Sequence, residues 1–130
     1  MVVLDTDFII DLMAGDVAAG AVLDGLLASP DPLAVSSVTI MQLHHGIPRA
    51  RMPARERERV VAALRGFAAY PVTAAIAAAA GELDGELTAR GRRVDPLDLL
   101  IGMTAVHHHE PLVTRNRKDF ARIPGIQIRP

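Results

Sequence analysis

The chain has no cysteine and no tryptophan, one tyrosine, three phenylalanines and a single lysine among its 130 residues. Without cysteine there are no disulfides, thiolate zinc centres or cysteine nucleophiles. With aromatic residues at 3 %, the core has to be built from Leu, Val, Ile and Ala. No apolar run approaches the roughly 18 residues that span a bilayer, and the N-terminus lacks the basic region of a signal peptide. The expectation is a soluble, cytoplasmic protein. Net charge is nearly absent too, at −1. That argues against a uniformly basic nucleic-acid binder, although net charge conceals local patterning.

Half of the residues are apolar and the mean hydropathy is +0.25, so the chain is globular rather than disordered. At this length one domain, residues 1–130, buries a core without staples. Thirteen arginines accompany the lone Lys118, and five of them fall between Arg49 and Arg59, in "RARMPARERER". Glu56 and Glu58 interrupt that run. It reads as a solvated helix face or as a face that meets phosphate or a partner.

Along the chain, "VVLDT" is a short buried strand, and "DFIIDLMAG" follows it as a helix ending at Gly15. Asp16 caps a second helix, "VAAGAVLDGLLAS". "LAVSS" is the next strand, and "SVTIMQLHHGI" then turns helical, with Val38, Met41 and His45 on one side. Pro53 opens "PARERERVVAALRGF" at the first-turn position that proline favours. "YPV" is a candidate third strand. "TAAIAAAAGELDGELTARG" is a helix closing at Gly91, and "DPLDLLIGMTAVHHH" is another. "EPLVT" and "IQIR" complete the strands. Strands alternating with helices predict an α/β fold, a short parallel sheet with helices on both faces.

Such folds bind ligands outside the carboxyl ends of their strands. Asp5 ends the first strand, and Thr114 to Asn116 end "PLVT". A buried carboxylate is costly unless it has partners, so Asp5 belongs at an edge. Asp98 lies in the first turn of its helix, where the dipole favours a negative charge, and Asp95 is placed to cap that helix. Asp119 sits just beyond a strand end. Carboxylates that converge raise one another's pKa unless a cation neutralises them, and an all-oxygen set suits Mg²⁺ or Mn²⁺. Such a centre serves phosphodiester hydrolysis.

Four pieces in order, "VVLDTDFIIDL", "SSVTIMQLHHG", "DPLDLLIGMTA" and "LVTRNRKDF", resemble a PIN-domain protein of the VapC toxin type, over essentially the whole chain. The resemblance implies a three-layer PIN-like fold and a metal-dependent endoribonuclease that uses Mg²⁺ or Mn²⁺. It also implies an RNA substrate (tRNA or rRNA), a cognate antitoxin that blocks the site, and a homodimer. Carried over by motif, the family's first acid is Asp5, its third Asp98 and its fourth Asp119; these three are the expected metal ligands. Asn116 is an accessory polar group, and Thr6 and Thr114 orient carboxylates or water. Arg115, Arg117 and the Arg49–Arg59 stretch are candidate contacts to the RNA backbone.

The second acid departs from the pattern. The family places Glu in Ser-x-x-Thr-x-x-Glu-Leu-x-x-Gly; the matching stretch here, "SVTIMQLHHG" from Ser37, carries Gln42. Gln keeps the shape and a carbonyl oxygen, but it cannot act as a base and serves a hard cation less well. The change is a natural retuning of activity, the mark of a member that binds without cutting, or a deliberate Glu→Gln replacement. A binding-only module that holds RNA or an antitoxin is therefore the alternative reading.

"VVLDTDFII" also approximates the start of a haloacid-dehalogenase phosphatase, but Ile9 stands where that motif has Thr or Val, and Lys118 is the only lysine. "HHH" at 107–109 is no metal site, because successive helical residues point about 100° apart; it belongs at a helix C-terminus. His44 and His45 are adjacent in the same way. Asp7 adds charge to the metal site or caps the first helix, and Glu82, Asp84 and Glu86 read as solvated.

Overall fold

Val2, Val3 and Leu4 are fully buried and form β1 (Val2–Leu4), the middle strand of a five-stranded sheet. The computed structural model describes residues 1–130. The chain continues as α1 (Thr6–Met13), α2 (Val17–Leu27), β2 (Leu33–Ser36), α3 (Ser37–His45), a 3-10 turn (Ile47–Arg49), α4 (Pro53–Leu64) and β3 (Ala68–Tyr70). It ends as α5 (Ala74–Ala89), α6 (Pro96–His107), β4 (Leu112–Val113), α7 (Arg117–Phe120) and β5 (Ile128–Arg129).

The sheet order is β3-β2-β1-β4-β5 with every pair parallel. Alternation along the strands makes two cores. Val2, Leu4, Leu33 and Val35 pack with residues of α1, α2 and α4 on one face; Val3 and Leu112 pack with α5, α6 and Phe120 on the other. The three-layer α/β architecture read from the sequence is therefore the one observed.

Helix α3 belongs to neither layer alone. Its Val38 joins one core and its Leu43 the other, so it crosses the carboxyl edge of the sheet instead of running down a face. This differs from the expected grouping: Val38 is buried, while Met41 and His45 lie in solvent. The third strand falls two residues earlier than "YPV" because Pro71 has no N–H to continue the ladder; the following Val72 N–H turns instead to Ser37 Oγ at 3.1 Å. Helix α7 was not legible in the sequence, being a single turn. No helix is long and apolar enough to cross a membrane.

From β1 the chain winds outward through β2 to β3, then returns to lay β4 on the other side of β1. The reversal puts the crevice of an open α/β sheet at the carboxyl ends of β1 and β4. Asp5 follows the first of these strands and Thr114 the second.

Candidate active site

Asp5 is 2 % exposed. Its backbone continues the ladder, with its N–H donating to Val113 O at 3.0 Å, and its carboxylate sits where α1 begins. The Thr114 hydroxyl donates to Asp5 Oδ2 at 2.8 Å. Burial pushes the Asp5 pKa up to about 6; the Thr114 hydrogen bond opposes that shift and the charge of Asp7 adds to it. Desolvation wins because one donor replaces only part of the hydration the carboxylate has lost.

Thr6, also buried, reaches across to α3. Its Oγ1 lies 2.9 Å from Thr39 Oγ1 and 2.6 Å from Gln42 Oε1. A hydroxyl has one proton, so Thr6 donates to the Gln42 carbonyl and accepts from Thr39. Ser36 caps α3 by accepting from Val38 N–H at 3.1 Å. The serine of the Ser-x-x-Thr-x-x-Gln pattern is thus Ser36 and not Ser37, whose hydroxyl serves Val72. Thr39 is the member of this site that the sequence reading passed over, although the Thr of that pattern signalled it.

Asp98 enters from the first turn of α6. Asp95 caps that helix as expected, accepting from Leu97 N–H at 2.8 Å and Asp98 N–H at 3.4 Å. The Asp98 pKa is also pushed up to about 6, by burial first and then by the charges of Asp5, Asp95, Asp7 and Asp119. The charges of Asp5, Asp119 and the exposed Asp7 are therefore near enough to act on Asp98. Asn116 Nδ2 donates to Asp119 Oδ2 at 3.3 Å, and Asn116 N–H donates to Thr114 Oγ1 at 3.0 Å. One short loop thus holds an acid on each side of the crevice.

As placed, no group of three or more acidic or histidine side chains could hold a metal ion. The donor set nevertheless fits a hard divalent cation. It is all oxygen, it sets like charges against one another at Asp98, and its buried member, Asp5, is held by a neutral hydroxyl. Gln42 brings a carbonyl oxygen to the same neighbourhood without a charge.

The remaining candidates separate clearly. Arg115 does not point at the crevice: its Nη1 lies 3.0 Å from Asp11 Oδ2 and 3.0 Å from Asp16 Oδ2. Arg59 is likewise engaged, with Glu56 at 2.8 Å and with Met13 O at 2.8 Å. Arg49, Arg51, Arg55, Arg57 and Arg117 are exposed. His107 ends α6, His108 caps it and His109 takes φ 54, with Glu110 N–H returning to Ala105 O at 2.9 Å. The triple histidine is a helix stop, as expected. His44 donates from Nδ1 to Ile40 O at 2.8 Å and is exposed, as is His45.

An open parallel sheet with carboxylates near its reversal defines the class, an α/β fold of the three-layer kind, and comparison with known proteins makes it specific. The sequence matches the PIN domain over residues 2–126. It is 33 % identical over 99 residues to the tRNA(fMet)-specific endonuclease VapC of Shigella flexneri, covering 73 % of this chain and 72 % of that protein. Ribonuclease VapC19 of Mycobacterium tuberculosis is 29 % identical over 131 residues, covering 98 % of each. Among solved structures, a VapBC2 complex from Rickettsia felis bound to a promoter DNA fragment superposes with a TM-score of 0.88 at 26 % identity, covering 99 % of this chain and 98 % of that one. The chain belongs to the PIN-domain family, and within it to the VapC type.

Proposed function

We propose that this chain is a metal-dependent endoribonuclease and the toxin of a toxin–antitoxin pair, acting in the cytoplasm as one PIN-like domain over residues 1–130. The observation that carries the reading is Asp98, whose carboxyl is raised to about 6 by burial and by the charges of Asp5, Asp95, Asp7 and Asp119, beside a buried Asp5 that is raised to about 6 as well. The relatives named as VapC endonucleases and ribonucleases support the activity, and the first of them is named for tRNA; tRNA or rRNA is the substrate class that the family resemblance implies.

Asp5, Asp98 and Asp119 would hold Mg²⁺ or Mn²⁺. A cation bound there neutralises the acids and supplies Lewis-acid polarisation of a phosphodiester. The chain's own residues do the rest. Thr114 fixes the Asp5 carboxylate, Asn116 fixes Asp119, and Thr6 fixes position 42. Asp98, partly exposed at the mouth, meets both the buried acid and incoming solvent. Arg117 and the free arginines of the 49–57 stretch hold the RNA backbone as sequence-independent contacts.

An antitoxin is the second expected partner. An apolar cavity of about 380 Å³ between α1, α2 and α4 is lined by Leu12, Leu23, Ala63 and Phe67. It adjoins another of about 330 Å³ that ends at Gln42; the two share Met13 and Arg59. A peptide seated along that path would run from an apolar groove to Gln42, which suits an inhibitor that binds by an apolar segment and ends at that position. The toxin would dimerise, as sedimentation velocity can determine.

The test is RNA cleavage with Mg²⁺ or Mn²⁺. Asp5→Asn and Asp98→Asn should each abolish it, and Gln42→Glu should raise it by restoring charge to the second acid's position. The binding-only reading is favoured by one observation, the neutral Gln42 held by Thr6. It prevails if Gln42→Glu still cuts nothing while RNA or antitoxin binding persists.

A further inference from the structure

Just past β4 the chain bends at Arg115, so that Thr114 and Asn116 bond one side of the segment and Arg115 the other. Thr114 and Asn116 turn to the acids; Arg115 turns the opposite way, onto the junction between α1 and α2. There it meets Asp11, in the last turns of α1, and Asp16, whose carboxylate also accepts from Ala19 N–H at 2.9 Å as the cap of α2. The junction itself is a tight turn through Gly15 at φ 78. The C-terminal end of α1 is held from a second side by Arg59, through Met13 O. Two guanidinium groups thus grip the negative end of the helix whose N-terminal end carries Asp5, Thr6 and Asp7.

We propose that Arg115 is a positioning residue for the nuclease centre: its clamp on Asp11 and Asp16 ties the β4 loop to α1 and so sets Thr114 against Asp5 and Asn116 against Asp119. The inference rests on the nuclease reading for its kinetic consequence and on geometry alone for its structural one. Thr114 Oγ1 donates to Asp5 and accepts from Asn116 N–H, so both acids lose their register if this loop slides. Sliding is opposed on the far side by Arg115. The pairs are surface-exposed and contribute little to global stability, which separates a positioning effect from a folding defect. Because both its carboxylate partners are occupied with it, Arg115 is not free for phosphate.

The experiment compares Arg115→Gln, Arg115→Lys and the double variant Asp11→Ala/Asp16→Asn, where Asn at 16 preserves the helix cap. It is run in the native chain and in the Gln42→Glu background. Arg115→Gln and the double variant should each lower kcat about fivefold with KM for an RNA oligonucleotide nearly unchanged, as expected when a group made to act in the transition state is held less well. Arg115→Lys should retain most of the rate. Hydrogen exchange at the Asn116 amide should quicken in parallel, while exchange in β1 stays as it was. A raised KM at constant kcat in Arg115→Gln, with the double variant unaffected, would make Arg115 an RNA contact and overturn the proposal. If neither background cleaves RNA, the nuclease reading fails by itself. The clamp then stands on the Asn116 exchange and on Mn²⁺ affinity by calorimetry, and it falls if Arg115→Gln changes neither.

Discussion

Two carboxyls that titrate near neutrality make this protein's stability a function of pH. Asp5 and Asp98 have folded pKa values of about 6, above their unfolded values, so the folded state keeps protons that the unfolded chain has lost. Their protonated forms stabilise the fold fully below about pH 4, and that contribution disappears as pH rises through about 6. For Asp5 the penalty at neutral pH is on the order of 3 kcal/mol. Asp5→Asn should therefore melt higher than the native chain at pH 7.5 and about level with it at pH 4 by differential scanning calorimetry without divalent metal; equal melting at pH 7.5 would contradict the burial argument. Mn²⁺ should raise the melting temperature more at pH 7.5 than at pH 5, since protons compete for the same oxygens. Thr114→Val removes the donor to Asp5 Oδ2. It should cost about 1 to 3 kcal/mol by urea denaturation at pH 7.5, and much less at pH 4, where the carboxyl is neutral. At this scale the sequence was informative where chemistry repeats in motifs and silent where partners are distant. Asp5, Asp98 and Asp119 were legible as candidates. The clamp of Arg115 on Asp11 was not, because the two residues meet only through the fold.

The elements that carry these residues were legible from periodicity and caps. Asp16 and Asp95 cap their helices, Pro53 and Pro96 open theirs, and Gly91 takes the positive φ expected past a helix end. What failed was short or dictated by packing: the single turn of α7, the position of β3 before Pro71, and the crossing of α3 over the sheet edge. That crossing is invisible in the helical period because α3 serves two cores in turn. Gly102 shows how closely elements meet beneath the site. A Cβ there would collide with Ile123 Cδ1 and lie 3.3 Å from Phe120 Cδ1, beside Asp119 and one turn after Asp98. Gly102→Ala should destabilise the protein by about 1 kcal/mol in urea, overpacking outweighing the gain in helix propensity. A variant more stable than the native chain would show that α7 yields freely.

For the molecule as a whole, charge is distributed and not accumulated. The segment from Arg49 to Arg59 is strongly basic within a chain whose net charge is −1, so the remainder is acidic. If exposed Arg49, Arg51 and Arg55 hold RNA, changing all three to Gln should flatten the salt dependence of binding by about 2 in the log–log slope, as for three single-strand phosphate contacts. An unchanged slope would assign that face to a protein partner. The fold class itself was legible, since alternating strands and helices allow few architectures; the strand order was not, because nothing local says that β4 returns beside β1.

That return has a consequence for synthesis. Asp5 and the Thr114–Asn116–Asp119 group bonded to it are more than a hundred residues apart in sequence and are brought side by side by the β1–β4 pairing. A ribosome that has made the first hundred residues has made Asp5 and Asp98 but nothing to hold Asp5 in place. The hydroxyl that fixes Asp5 thus arrives only once the chain has been made past β4 and that strand has paired with β1, so a chain broken off before Leu112 leaves the Asp5 carboxylate without its donor.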